Sequence, residues 1–111
     1  MLKRHLRLEV LAVGADSTVD LPAALAALHA RGHQLIVSEA GPHLFDSLLA
    51  ADLVDELFLT QSPLLAGRGD GARLGLVEGN TLLPAVHRDA RLLSIRRVCD
   101  HLFLRYQLRP T

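Results

Sequence analysis

The sequence predicts an α/β domain with a mixed sheet, a parallel βαβαβ part first and an antiparallel hairpin last. Three observations predict it. Short apolar runs stand at residues 6–13, 34–38 and 55–60, and two stretches of helical apolar spacing separate them. Two β-rich runs, 91–98 and 101–108, then follow with only Cys99 and Asp100 between them.

The first run, LRLEVLAV, alternates and then turns continuously apolar, which suits a strand buried on both faces at its end. It stops at Gly14-Ala15-Asp16-Ser17, which is turn chemistry. Asp20 is an N-cap candidate and Pro22 suits a first helical turn. Leu21, Leu25 and Leu28 share a helical face that ends at Gly32. Residues 34–38 read as a second buried strand, and a βαβ unit of this kind has parallel strands and a right-handed crossover. Pro42 opens a second helix carrying Leu44, Phe45, Leu48 and Leu49 and closing near Asp52. A third strand follows from Asp55 to Thr60, and Ser62-Pro63 ends it. Residues 64–73 and 79–89 read as loop, the second with a short apolar piece. In the last third, Leu93 and Ile95 alternate against Ser94 and Arg96, as Leu102 and Leu104 do against Arg105.

Composition narrows the partners. With 111 residues, 50% hydrophobic and 22% charged, the chain is expected to form one domain with a real core. Lys+Arg and Asp+Glu both number 12, so no overall field draws nucleic acid or an acidic membrane surface. Any anion site must be local, and a small-molecule partner is favoured. The one cysteine, Cys99, excludes an internal disulfide and a thiolate metal cluster and suits a reducing compartment, so a cytoplasmic protein is expected.

The stretch that carries chemistry is Gln34–Phe45, QLIVSEAGPHLF: a strand, a tight turn and a helix start. Such a junction leaves the first N–H groups of the helix without partners and aims the positive end of its dipole past the strand end, where phosphate is the usual occupant. Gly41 and Pro42, with the amides of His43 and Leu44, are the candidate anion cradle; from spacing alone, an ordinary strand-to-helix turn is the alternative. The His43 imidazole could add a donor. Glu39 stands at the carboxyl end of a strand, where open α/β sheets bind ligands, and either faces a ligand or accepts turn amides.

Other residues read as structural. Asp55 and Glu56 are adjacent on a strand and face opposite sides, so they cannot share one substrate atom. The six histidines show neither HxH nor HExxH spacing, which favours surface or cap roles over a metal site. Arg68-Gly69-Asp70 reads as a chance tripeptide in a glycine-rich loop, and Cys99 has no neighbouring base to activate it.

The strand–EAGP–helix junction and the following LLAADLVDELFLTQSPLLAG (residues 48–67) resemble the reductase domain of the riboflavin-pathway deaminase/reductase family, which has a dihydrofolate-reductase-like fold. Val19-Asp20-Leu21 opening a helix that closes on Arg31-Gly32, and the His101–Tyr106 run, fit the same family. The resemblance therefore covers nearly the whole chain. It implies NADPH as cofactor, held through Gly14, Ala40, Gly41, Pro42, His43 and Leu44, with Glu39 toward a small pyrimidine substrate. The reaction implied is reduction of the ribosyl group of 5-amino-6-ribosylaminouracil 5′-phosphate. By its place at the end of the neighbouring parallel strand, Gly14 to Ser17 would form the other wall of a dinucleotide crevice, with Ser17 or Thr18 toward a ribose or the 2′-phosphate; for any one of them a plain loop is the favoured alternative. Many members carry two glycines where Ala40-Gly41 stands, so a variant turn is expected here. Members are longer, and the resemblance places this chain as the C-terminal half of a reductase domain, with little activity alone and a homodimer covering its bare strand faces. The alternative is a non-catalytic nucleotide-binding or dimerisation module of the same fold.

Overall fold

The computed structural model describes residues 9–67, 69, 74–79 and 88–108. The chain divides into two compact units, Met1–Ser38 and Glu39–Thr111.

In the first unit a small hairpin, β1 (Gly14–Ala15) with β2 (Thr18–Val19), leads into helix α1 (Leu21–Ala30). The helix starts where the sequence says it must. Asp20 is extended and its carboxylate accepts the Ala23 N–H at 2.9 Å, while its carbonyl accepts from Ala24 at 2.9 Å. Leu21, Ala24, Leu25 and Leu28 make the half-buried face. The end is a Schellman motif. Gly32 takes φ +91°, its N–H bonds the His29 carbonyl at 2.9 Å, and the His33 N–H bonds the Leu28 carbonyl at 3.2 Å. Arg31 also pairs with Glu9.

The second unit holds helix α2 (Pro42–Ala50) and an antiparallel sheet of β3 (Glu56–Gln61), β4 (Arg91–Val98) and β5 (His101–Gln107) in the order β3-β5-β4. Helix α2 also ends in a Schellman motif, with Asp52 in the left-handed position at φ 58°, its N–H on the Leu49 carbonyl at 3.0 Å and the Leu53 N–H on the Leu48 carbonyl at 2.9 Å. Among the described residues only Leu49 and Asp46, both on this helix, are buried.

Alternation sorts the sheet into two faces. Leu57, Leu59, Leu102, Leu104 and Tyr106 lie on one, half-buried; Phe58, Thr60, Phe103 and Arg105 lie exposed on the other. On that second face Arg105 grips Glu56 with two hydrogen bonds, of 2.7 and 2.8 Å, and stands 5.5 Å over the Phe58 ring. The Arg105 hydrogen bonds and charge hold the Glu56 carboxyl below its usual range, and the same pair raises the guanidinium. A bulge between Leu92 and Ser94 inserts Leu93 into β4. The hairpin closes through Cys99 and Asp100, with Cys99 at φ 51°.

Both helices, the third strand and the hairpin form within a residue or two of their expected bounds. The parallel part does not. Residues 9–13 and 34–38 belong to no strand, and both sheets among the described residues are antiparallel. Val10, Leu35 and Val37 are 81%, 86% and 75% exposed. A parallel strand holds only when ladders flank it and both faces are covered, and an apolar run encodes that need without supplying the neighbours. Residues 6–8 of the expected first strand, and much of the two expected loops, lie outside the described residues. No helix among the described residues is long and apolar enough to cross a membrane.

Candidate functional site

The candidate turn, Glu39 to Leu44, lies in the second unit. Glu39 and Ala40 are exposed and lead without regular structure into Gly41, the N-cap of α2. Gly41 is extended, at φ −70° and ψ 176°, and no side chain caps the helix. Its carbonyl accepts the Phe45 N–H at 3.2 Å. Pro42 has no N–H to place, so the open donors of the first turn are those of His43 and Leu44, which find no acceptor among the described residues.

The fold itself gives Gly41 no reason to be glycine. Its φ suits any residue, and a Cβ built on it meets nothing within 4 Å. What the missing side chain leaves is clear space beside two unpaired amides at the positive end of a helix. Ala40 does not disturb this arrangement, since no residue of the turn takes a positive φ.

His43 is committed to a second task. Its Nδ1 stands 3.0 Å from the Glu78 carbonyl, and the Glu78 N–H in turn reaches the Pro42 carbonyl at 3.4 Å. The Glu78 carboxylate accepts the Gly75 N–H, closing its own segment. Gly79, at φ +138°, lies against the buried Asp46, where a Cβ would come within 2.5 Å of Oδ2. Residues 78–79 are therefore docked on the first turns of α2. At the other end of the helix, Arg88 donates to the Leu49 carbonyl at 3.0 Å and stands 3.3 Å from the Asp52 carboxylate, where the dipole favours a cation. Sequence reasoning missed both attachments, because they join partners 35 and 39 residues apart through backbone carbonyls that any residue carries. Gly79 was the one local signal.

Gly14 belongs to the first unit and differs from Gly41. At φ +112° its Cβ would fall 2.1 Å from the Thr18 carbonyl oxygen, so its own hairpin demands glycine. Ser17 and Thr18 are exposed in the same hairpin. Of the adjacent carboxylates, Glu56 is engaged by Arg105, and the Asp55 carbonyl accepts from Leu108 at 2.9 Å. Among the described residues no group of three or more His, Cys, Asp or Glu could hold a metal ion. His5, His87, Arg68 and Asp70 lie outside the described residues.

Residues 2–103 match the model of the RibD C-terminal domain. The chain belongs to the RibD C-terminal domain family. That family is a reductase-type domain of the riboflavin pathway and, as a rule, a binder of a nicotinamide cofactor. Among solved structures the chain is similar to a pyrimidine reductase-like protein of Corynebacterium diphtheriae, at 27% identity and a TM-score of 0.67. The match covers 86% of this chain and 37% of that one. No curated protein matches.

Proposed function

We propose that this chain is the cofactor-holding part of an NADPH-dependent pyrimidine reductase, acting on the ribosyl group of a 5-amino-6-ribosylaminouracil 5′-phosphate. The observation that carries the reading is the open start of α2: two amides without acceptors beside a glycine that the fold does not require. Membership in a family whose members as a rule bind a nicotinamide cofactor supports reading the anion as that cofactor's diphosphate. When bound, NADPH supplies a hydride. The chain's own work is to hold the diphosphate on the His43 and Leu44 amides, with Gly41 keeping the approach clear and Glu39 near the pyrimidine. Gly14 is kept in the proposal as a cofactor-binding residue on the family resemblance alone. Hydride transfer by this chain alone is expected to be weak or absent, since the chain spans 37% of the pyrimidine reductase-like protein it is similar to.

The test is NADPH titration by calorimetry, with Gly41→Asp as the decisive variant. An aspartate there fills the clear space, caps the amides and puts a negative charge where the diphosphate would sit. The variant is expected to lose about 10- to 100-fold in affinity. Unchanged NADPH affinity in Gly41→Asp would remove the turn from the site.

A homodimer in a reducing cytoplasm completes the proposal. Val10, Leu35 and Val37 expose apolar surface of the kind that self-association covers. Sedimentation equilibrium giving the mass of one chain at micromolar concentration would exclude the dimer.

A further inference from the structure

We infer that the free edge of β3 is where a second copy of this chain docks, the two β3 strands pairing antiparallel about a two-fold axis at Phe58 to make one continuous sheet. This rests on the homodimer proposed above and adds where its two copies meet.

The two edges of the sheet are built differently. In the order β3-β5-β4 the outer strands are β3 and β4. Strand β4 carries Arg91, Arg96 and Arg97 and a bulge after Leu92, devices that keep a further strand from adding to a sheet. Strand β3, Glu56-Leu57-Phe58-Leu59-Thr60-Gln61, has neither. Its pairing with β5 runs without a break, it holds no lysine, arginine, glycine or proline, and Phe58 is 71% exposed. One edge is guarded and the other is open.

The ladder fixes which backbone groups stand on the open edge. The Leu108 N–H bonds the Asp55 carbonyl at 2.9 Å, so these two form a hydrogen-bonded pair, in the same register that sets Glu56 opposite Gln107. Bonded and non-bonded pairs alternate along an antiparallel ladder. Leu57, Leu59 and Gln61 therefore turn their N–H and C=O groups toward β5, while Glu56, Phe58 and Thr60 turn theirs outward, where no described residue takes them.

The strand is its own complement. Centred on Phe58, two copies pair over the whole of Glu56–Thr60, and each outward N–H meets an outward carbonyl. Phe58 then lies against the partner's Phe58, Glu56 against the partner's Thr60, and Leu57 against the partner's Leu59 on the other face. No like charges meet, and Glu56 is already neutralised by Arg105 of its own chain. Other centres fail. At Leu59 the groups brought together are those already given to β5. At Glu56 two carboxylates are opposed, and at Thr60 the pairing runs past the strand end into Ser62-Pro63.

Residue-resolved amide hydrogen exchange, with sedimentation equilibrium on the same samples, tests this. As the chain is concentrated from monomer into dimer, the N–H groups of Glu56, Phe58 and Thr60 should slow about 10-fold or more, while those of Leu57, Leu59 and Gln61 are slow throughout. Two variants alter the edge alone. Phe58→Glu sets carboxylates against each other across the axis, and Thr60→Pro removes an outward N–H that β5 does not use. Each should weaken the dimer roughly 10-fold or more. A dimer whose outward amides exchange fast at every concentration, outward amides that are slow at every concentration because the chain covers its own edge, or an unchanged dimer affinity in either variant would each overturn the docking edge while leaving the homodimer standing. A chain that stays monomeric at micromolar concentration would overturn both.

Discussion

The two helices end alike and begin differently. Both α1 and α2 close in Schellman motifs, with Gly32 and Asp52 in the left-handed position. At its start α1 is sealed by its own chain, because the Asp20 carboxylate takes the Ala23 N–H. Helix α2 begins at Gly41, with no side-chain cap and two donors open. A cap of the Asp20 kind contributes about 1 kcal/mol, so leaving α2 without one has a cost in stability. That cost falls at the turn proposed above to hold the cofactor, so the proposal reads function from what the chain leaves undone. The glycines tell the same story. Gly14 and Gly79 are forced by contacts inside the chain, whereas Gly41 is not.

The largest expected effect tests that contrast between glycines. Gly79→Ala drives a Cβ onto the Asp46 carboxylate in a backbone region that alanine disfavours, and should destabilise the chain by about 2–3 kcal/mol in urea unfolding. Gly41→Ala meets no neighbour and keeps its φ, so its loss should stay within about 0.5 kcal/mol. Equal losses at the two positions would break the comparison, since Gly41 would then be structural too.

How much was legible follows from where each signal resides. Helix α1 was readable because Asp20, Pro22 and Gly32 each act on groups within four residues. The hairpin was readable because alternation and a two-residue connection are local as well, although the bulge at Leu93 was not. The turn at Ala40-Gly41-Pro42 was visible as a helix start, and its open amides were anticipated. The parallel strands are not found among the described residues, because residues 34–38 state only that they want burial and not what buries them. The docking of 78–79 on His43 and Asp46 was invisible for a related reason: the His43 acceptor is a backbone carbonyl, and only folding brings it near.

The next effect sharpens the contrast by exchanging the two starts. Asp20→Gly opens the first turn of α1 and should cost a few tenths of a kcal/mol, up to about 1. Gly41→Asp closes α2 and adds a negative charge at the positive end of its dipole, and should gain about 0.5–1 kcal/mol while NADPH binding is lost. Stability and affinity would then move in opposite directions at Gly41 and only stability would move at Asp20. A Gly41→Asp chain that is both less stable and a weaker binder would mean that the aspartate distorts the turn instead of capping it.

The smallest effect lies away from both helix starts and sets the baseline for comparing them at different pH. Glu56, held by two hydrogen bonds from Arg105, titrates below its ordinary range in the folded chain. The unfolded chain binds that proton more readily, so the pair's contribution is present above the ordinary glutamate range and is lost as pH falls through the lower, folded value. Thermal melts on the acid side should therefore decline in the wild type, and part of that decline should vanish in Glu56→Gln. The pair is on an exposed sheet face, where screening keeps such contributions small. The stability gap between Gly41→Asp and wild type should be the same in the Glu56→Gln background, because among the described residues Arg105 and Glu56 share no hydrogen bond or ion pair with the turn. A gap that changes with Glu56 would show that acid acts on the turn through the sheet, and the two helix starts would then have to be compared in the Glu56→Gln chain.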